Sequence, residues 1–502
     1  MSGDGRALLD VRAARKALAE ARGKQKLDVL LGAGPLVRSL PAEELYLALL
    51  DIGPDDAADA VALATPEQFR HFVDMAAWPG PDAGPSASEV LRWLRLAREG
   101  GGDGPRFRSQ LRSLDIELLA LVLRREMQVH ELGEDQFVEP RDPALAFYTP
   151  DRRFLLEFST DYAGMRQLID DLYAEDPGTA GRLIEAVRWE VLTELEETAR
   201  RWRDGRLRDV GVPEFEEALS FYARPAAAKK NNNFFSAPPT TSLTAPQRNL
   251  IEAALEKLDG EELQHAEESL VYAANAALVA NRVRLDDAEE VRNQLAEARA
   301  TIALGLELLS GGDADRAARA LVETPVRQVF QTAMGEAYRL QTRARKVAAA
   351  ARLPQAQSAT LLEAPLEAAV AALLQARPEF QEQGQRRPRA FGSRAEVARA
   401  EALLDEAEAE VALLASLGLA PEALGPKAEE AGLGPAALKG SDAVYALVES
   451  QLRGEPFSLR PAAEEPRRRS PGFAARLDGL FQNATPPVHS ETASRLREIL
   501  LR

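Results

Sequence analysis

The sequence has 502 residues, more than one hydrophobic core usually organises, and its 45% apolar and 28% charged content is typical of a folded protein with two or three domains. Its formal net charge of -17 repels phosphate groups, which argues against nucleic acid and anionic membranes as partners. The absence of cysteine excludes disulfides, iron–sulfur clusters, thiolate catalysis and zinc fingers.

No stretch of the sequence predicts a membrane or export segment. Residues 1–10 are polar, and the longest apolar stretch, Leu270–Ala280, is short and interrupted by Asn275. We therefore expect a cytoplasmic protein without membrane insertion. Alanine and leucine dominate, while aromatic residues make up only 6%, which favours closely packed helices over sheets. The predicted fold class is mainly α.

Residues 1–130 are predicted to form a stacked-helix, solenoid-like region. Pro41, Pro54 and Pro66 recur at intervals of 13 and 12 residues, and acids or amides follow each of them. Proline loses no hydrogen bond at the first helical position, and acids there meet the positive end of the helix dipole. The run Thr65–Gln68 has the spacing of a capping box. Helices this short must stack on one another to bury their faces.

Residues 131–224 are predicted to form one β-hairpin with helices packed on it. Aromatic and apolar residues at 145–149 and at 154–158 flank the turn sequence Pro150–Arg153. A lone hairpin is marginal in water, so we expect helices to cover it.

Apolar spacing also predicts two longer helices, one before and one after the hairpin. The first covers Leu111–Gln128. In the second, apolar residues from Ile184 to Trp202 lie on one face of a single helix.

The second half of the chain is predicted to be a linker followed by an elongated helical bundle. Residues 225–243 are rich in Pro, Asn, Thr and Ser without periodicity, which is typical of a flexible linker. Within 244–453, the apolar and small residues at 288–309 and at 397–414 alternate spacings of three and four, as in helix-packing seams. Residues 454–502 are predicted to form a loop and a C-terminal helix.

Several motifs lack part of the pattern that their usual function needs. The run Gly32–Pro35 lacks the third glycine of a dinucleotide site, because Val37 stands there. Glu262 and His265 have the spacing of a di-iron ligand pair, but such sites need a second pair. Arg467–Arg469 is interpreted as a solubilising loop. No P-loop or nucleophile elbow occurs, although a spatial triad using one of the four histidines stays open. We predict no cofactor, metal site or catalytic residue.

One cluster of aromatic, guanidinium and carboxylate groups at a predicted helix exit is a candidate binding or structural site. Its members are Trp202, Arg203, Arg206, Asp209, Glu216 and Glu217. We expect one of the two arginines to pair with one of the three carboxylates and lock the turn. Gly205 and Gly211 would supply unusual backbone angles there, and Pro213 would end the helix. The alternative is a ligand or partner site.

Two resemblances to known families accompany these patterns. The hairpin Phe147–Phe158, the run Trp202–Pro213 and a helix at Ala280–Val283 resemble an uncharacterised bacterial domain family of unknown function, over most of the chain. This resemblance implies no activity or site residue. Residues 40–75 are similar to the intracellular helical domain of magnesium transporters and to a flagellar motor-switch helical domain. That similarity rests on the proline–acid repeat and implies a stacked-helix fold, not ion transport.

Our leading hypothesis is a cytoplasmic helical scaffold or regulatory adaptor that binds another protein, with no nucleic acid and with its oligomeric state open. The alternative is an enzyme of unrecognised type that uses the Arg/Asp/Glu cluster in residues 203–217. A pocket on which those groups converge would favour the enzyme, whereas a large exposed apolar patch without a pocket would favour the adaptor.

Overall fold

The fold was established with a computed structural model, which is 71% helical with one small sheet over the residues that it describes. The described residues are 17–18, 21, 23–32, 37–79, 83–101, 104–133, 139–159, 162–224, 250–285, 287–354, 356, 361–434, 438–464, 469–484 and 490–501. The prediction of a mainly α protein is confirmed. No helix within these ranges is long and apolar enough to cross a bilayer.

In the first half of the chain, helices come before and after the strands of a three-stranded sheet. The helices before the sheet are α1 (Lys24–Gly32), α2 (Ala42–Ile52), α3 (Ala58–Leu63), α4 (Pro66–Ala76), α5 (Ala87–Gly101), α6 (Gly104–Arg112) and α7 (Ile116–Glu126), and a 3-10 helix at Pro54–Ala57 leads into α3. The strands are β1 (Met127–Glu131), β2 (Ala146–Tyr148) and β3 (Phe154–Phe158), with a 3-10 helix at Pro143–Leu145. After the sheet come α8 (Tyr162–Glu175), α9 (Pro177–Trp189), α10 (Leu192–Asp209) and α11 (Phe215–Ser220).

The second half of the described chain is helical and includes longer helices. In chain order these are α12 (Leu250–Leu255), α13 (Gly260–Ala280), α14 (Ala288–Ser310), α15 (Ala314–Glu323), α16 (Val326–Ala351), α17 (Leu366–Leu373), α18 (Arg394–Ser416), α19 (Pro421–Glu430), α20 (Gly440–Arg453), α21 (Arg460–Ala463), α22 (Phe473–Gln482) and α23 (Ser490–Leu501). The seams at 288–309 and 397–414 correspond to α14 and α18, as their spacing predicts.

The chain divides into two compact units. Unit 1 contains the described residues within Met1–Ala218 and Asn275–Leu295, and unit 2 contains those within Leu219–Ala274 and Ala296–Arg502. The boundaries fall inside α11, α13 and α14. The five-part division drawn from the sequence stays a prediction, and its linker at 225–243 lies outside the described residues.

Unit 1 has one continuous hydrophobic core that joins the N-terminal helices to the sheet and to α8–α10. Tyr46, Phe72 and Trp93 meet at its centre, with ring centroids 5.5 to 6.1 Å apart. Thr65 and Gln68 form the predicted capping box at the start of α4, and the Gln68 Nε2 also donates to the Val37 and Leu40 carbonyls. These caps satisfy backbone groups where the short helices turn.

The sheet confirms the predicted hairpin and adds a strand that the sequence did not predict. β3 is central and pairs antiparallel with β2 on one side and with β1 on the other. α7 lies within the helix predicted over Leu111–Gln128, but the predicted bounds are wrong: α6 ends at Arg112, α7 begins after Asp115, and an extended backbone follows from Met127. β1 is stabilised by pairing with β3, which only the folded chain brings beside it. The local sequence shows only the helical spacing of the residues before β1, and the prediction extended that helix too far.

The single helix predicted from Ile184 to Trp202 is also wrong. The chain leaves helical geometry at Glu190 and Val191, so α9 and α10 are separate helices. The apolar spacing continues across the break because both helices bury one face in the same core, with Ile184 and Leu195 each nearly inaccessible.

Two hydrophobic clusters are seen among the described residues of unit 2. One surrounds α20, whose Val444 and Val448 are fully buried, and the second lies among α16, α17 and α18. Gly305 in the predicted α14 seam has a packing reason, because an added Cβ would lie 2.2 Å from the Val329 carbonyl oxygen of α16. Only glycine permits this close approach.

Candidate functional site: the α10 cluster and the unit 1 cavity

Arg206, in the last turn of α10, binds two carboxylates at once. Its Nε and Nη2 donate to the two Asp74 oxygens, each at 2.8 Å. Its Nη1 and Nη2 also donate to the two Asp115 oxygens, at 3.0 and 2.7 Å. Asp74 lies on α4 and is 2% exposed, whereas Asp115 directly precedes α7. One guanidinium therefore links α10 to α4 and to the start of α7 through two bidentate ion pairs.

The electrostatics of this cluster combine opposing effects. Burial raises the pKa of the Asp74 carboxyl, while its hydrogen bonds with Arg206 act in the opposite direction. Burial also disfavours the charge on Arg206, but its hydrogen bonds with Asp74 and Asp115 outweigh that effect and raise the pKa of Arg206. All four carboxylate oxygens accept an N–H of Arg206, which requires that both acids are ionised. The cluster is therefore a buried ion network.

The partners expected for the two arginines from the sequence are therefore wrong. Neither Arg203 nor Arg206 pairs with Asp209, Glu216 or Glu217, and these three acids are exposed. The reason is that α10 continues to Asp209, which keeps both arginines inside the helix. Their side chains project sideways from it towards other elements instead of across the turn.

The turn after α10 has one of the two unusual glycines that were expected. Gly211 has φ 82°, its N–H donates to the Arg208 carbonyl at 3.0 Å, and the Val212 N–H donates to the Leu207 carbonyl at 2.8 Å. This pair of bonds is a Schellman motif with glycine in the left-handed position. Gly205 instead lies inside the helix with ordinary geometry.

A second Schellman motif ends α13, but it places an arginine in the left-handed position. Arg282 has φ 51°; its N–H donates to the Val279 carbonyl at 3.0 Å, and the Val283 N–H donates to the Leu278 carbonyl at 3.1 Å. A side chain is strained in this conformation, which glycine adopts freely. The segment Ala280–Val283, expected to be helical, is therefore a helix end.

The two helix ends border one cavity of about 380 Å³ within unit 1. Its wall combines apolar and charged side chains with the two caps. The lining residues are Trp78, Pro79, Arg200, Arg203, Asp204, Leu207, Val212, Pro213, Glu214, Phe215, Leu278, Val279, Arg282, Val283 and Leu285. The runs Trp202–Pro213 and Ala280–Val283, singled out from the sequence, thus contribute to the same cavity.

Arg203 is the member of the predicted cluster that reaches this cavity. Its Nε donates to the Asp74 carbonyl at 2.8 Å and its Nη1 to Asp204 at 2.9 Å, while its Nη2 has no hydrogen-bond partner among the described residues. Its guanidinium lies 5.4 Å from the centroid of the Trp78 ring. The Trp78 Nε1 is buried and also has no partner within the described part of the chain. Polar groups with unused hydrogen-bonding capacity therefore occur at this wall.

The remaining members of the predicted cluster lie outside the cavity. Trp202 is 55% exposed on α10, in a stripe with Thr198, Gly205 and Asp209 that has helical spacings of four, three and four. We call this stripe the α10 face. An added Cβ at Gly205 would meet nothing within 4 Å. Gly205 consequently has no close-packing role among the described residues.

Sequence reasoning missed Asp74, Asp115 and Trp78, and it named Arg282 only as part of the run Ala280–Val283, without a role. A weak signal existed for Asp115, because an acid directly before the apolar run of α7 is typical of a helix start. No local pattern indicates Asp74 or Trp78. The set-aside pair Glu262 and His265 is exposed on α13.

In the described ranges, no group of three histidine or acidic side chains could hold a metal ion. No curated protein and no solved structure matches this chain. The similarity of residues 40–75 to transporter and motor-switch domains therefore stays a prediction. Residues 5–477 match the model of a family described as a family of unknown function, DUF6178, and the chain belongs to that family.

Proposed function

We propose that this protein is a helical adaptor that binds a helix of another protein through the α10 face. The observation that carries the proposal is the pairing of an exposed tryptophan with a glycine one turn later. Tryptophan is the residue type most enriched at binding hot spots. A cytoplasmic location is part of the proposal and fits a cysteine-free chain.

Gly205 supports this proposal by comparison with two other glycines inside helices. An added Cβ at Gly100 would lie 2.0 Å from the Ala58 carbonyl oxygen, and one at Gly305 would lie 2.2 Å from that of Val329. In both cases the glycine permits close helix packing. At Gly205 the glycine lowers helix stability, and an added Cβ would meet no atom within 4 Å. Close approach of a partner helix would explain why glycine stands at this position.

The spacing of the α10 face also suits a helical partner. Thr198, Trp202, Gly205 and Asp209 repeat at intervals of four, three and four, which is the pattern of a helix-packing seam. Trp202 would insert between side chains of the partner, and the partner's apolar residue would lie over Gly205.

The alternative of an enzyme built on residues 203–217 has weaker support. Arg206 is engaged by Asp74 and Asp115, and Asp209, Glu216 and Glu217 are exposed away from the cavity. A general acid or base must reach the reacting group, and these carboxylates do not converge on one site.

Site-specific photocrosslinking tests the proposal. A photoreactive amino acid at position 202 should capture a protein that is not captured from position 271, where Val271 is 50% exposed on α13. The captured protein is then purified and its Kd measured by calorimetry. We expect Trp202→Ser to weaken binding by about tenfold or more and Val271→Ser to leave it unchanged. Equal Kd values for the Trp202→Ser variant and the wild type would exclude this face.

Gly205→Ala provides a second measurement on the same face. It should stabilise α10 by about 0.5 to 1 kcal/mol, because alanine is the better helix former and the added methyl meets open space. It should also weaken partner binding. A variant that is more stable and binds equally well would remove the argument from close approach.

A further inference from the structure

The cavity of unit 1 has features of a ligand site that are independent of the α10 face. Its volume of about 380 Å³ lies in the range typical of small-molecule pockets. Its apolar wall includes Trp78 and Phe215, together with the leucine and valine of each Schellman motif. Such a wall suits a flat apolar body.

The charge of the wall is opposite to that of the whole chain. Arg200, Arg203 and Arg282 face the cavity together with the two acids Asp204 and Glu214, whereas the chain as a whole has 79 acids against 62 basic residues. Asp204 lies against Arg203, Glu214 against Arg208 and Arg200 against Glu196. The wall itself has three guanidinium groups against two carboxylates, which favours an anion.

Arg282 provides the most specific clue. At the equivalent position of the α10 motif the chain has Gly211, so a left-handed cap here does not require a side chain. The arginine keeps a strained conformation and holds its guanidinium 4.7 Å from the centroid of the Phe215 ring. Strained residues are concentrated at functional sites, where the strain is retained because the side chain is needed.

Arg203 supplies a second anchor at the same wall. Its Nε and Nη1 are fixed by the Asp74 carbonyl and by Asp204, which leaves Nη2 without a partner among the described residues. A guanidinium held in place by its other nitrogens is preorganised for one further acceptor.

We propose that this cavity binds a small organic anion, whose carboxylate or phosphate group is held by Arg203 and Arg282 and whose flat apolar body packs against Trp78 and Phe215. The residues of the wall do not favour carboxylate over phosphate, because arginine binds both groups.

Titration calorimetry of the full chain with 1-naphthoate, 1-naphthyl phosphate and neutral 1-naphthamide tests this proposal. We expect at least one of the two anions to bind about tenfold more tightly than the amide, and the better one identifies the headgroup. If neither anion binds at about 1 mM, or if the amide binds as tightly as both, the proposal is overturned.

Arg282→Gly is the decisive variant, because glycine keeps the left-handed cap. We expect it to retain or raise the melting temperature and to weaken binding of the preferred anion about tenfold or more. Arg152→Gly is the matched control: Arg152 also has a left-handed backbone, φ 57°, but lies in the hairpin turn away from the cavity. It should have a similar effect on melting and none on binding. Unchanged affinity of the Arg282→Gly variant for the anion overturns the role of this residue. The Trp202→Ser variant should bind the anion with wild-type affinity, because Trp202 does not line the cavity.

Discussion

Two buried carboxylates, Asp74 in unit 1 and Glu449 in unit 2, accept hydrogen bonds from different kinds of donor. In unit 1 both oxygens of Asp74 accept hydrogen bonds from the guanidinium of Arg206. In unit 2 Glu449, which is fully buried, accepts from the backbone N–H of Ser470 at 2.8 Å and from its hydroxyl at 2.6 Å. Glu363 likewise accepts from the backbone N–H of Ser441 at the start of α20, at 2.9 Å.

This difference determines which substitutions each of these two sites is sensitive to. A guanidinium can be removed by one mutation, which leaves two acids without their partner in a poorly solvated site. A backbone N–H remains when the side chain of its residue is substituted, and its position is set by the backbone conformation. We therefore expect the Asp74 site to depend on a single long side chain and the Glu449 site to depend on the carboxylate itself. Glu410 of unit 2 has both kinds of donor, because it accepts from Arg495 and from the backbone N–H of Glu363.

The largest expected effect is that of Arg206→Ala on unit 1. Removing a buried partner of two carboxylates should cost about 3 to 5 kcal/mol of the free energy of unfolding. All four tryptophans lie in unit 1, so their fluorescence during urea unfolding reports on this unit. Arg201→Ala is the matched control on the same helix, because Arg201 and Glu197 form a well-exposed pair, and should cost at most about 0.5 kcal/mol.

Asp209→Ala distinguishes the network of Arg206, Asp74 and Asp115 from the arginine–Asp209 pair that the sequence predicted. Asp209 is exposed and pairs with neither Arg203 nor Arg206, so this substitution should change the free energy of unfolding little. A cost for Arg206→Ala no larger than that for Asp209→Ala would contradict the buried network.

An intermediate effect is expected for Glu449→Gln in unit 2. The amide keeps the shape but weakens the hydrogen bonds from Ser470, which should cost about 1.5 to 3 kcal/mol. Urea unfolding is followed by far-ultraviolet circular dichroism, since the elements in the described part of unit 2 are helices. Glu252→Gln, at an exposed ion pair with Arg299, should leave the curve unchanged. Equal midpoints for both variants would argue against the role given to the Ser470 backbone.

The smallest expected effect is a pH dependence in unit 1 from His71. Its side chain is buried and its Nε2 has no partner among the described residues. Burial lowers the pKa of His71, with Glu43 opposing this shift and Arg203 adding to it. The unfolded chain takes up a proton near pH 6.5, while folded His71 resists it until the pH is lower. Stability from this group is therefore complete above about pH 6.5 and is lost as the pH falls.

His71→Gln isolates this contribution, because glutamine stays neutral at every pH. Tryptophan-detected unfolding at pH 7.5 and at pH 5.5 should show a smaller loss of stability in the variant than in the wild type. Parallel losses in both proteins would show that other groups carry the acid sensitivity of unit 1.

Much of the local structure could be predicted because short-range chemistry determines it. The capping box of Thr65 and Gln68, the hairpin turn at Pro150–Arg153 and the seams of α14 and α18 depend on residues within a few turns of one another. Even Gly305 could be recognised as a small residue in a seam. Helical spacing failed where it continued across a break, as between α9 and α10, or into the strand β1.

The sequence by itself determined a mainly helical chain, the starts of its short N-terminal helices and the turn at Gly211. The tertiary structure alone decided that Arg206 binds Asp74 and Asp115, which lie 132 and 91 residues away. It also decided that the ends of α10 and α13 share one cavity, with Arg282 in a position that usually belongs to glycine. Local propensity acts over a few residues, whereas ion networks and cavities arise from packing between distant segments that no local pattern records.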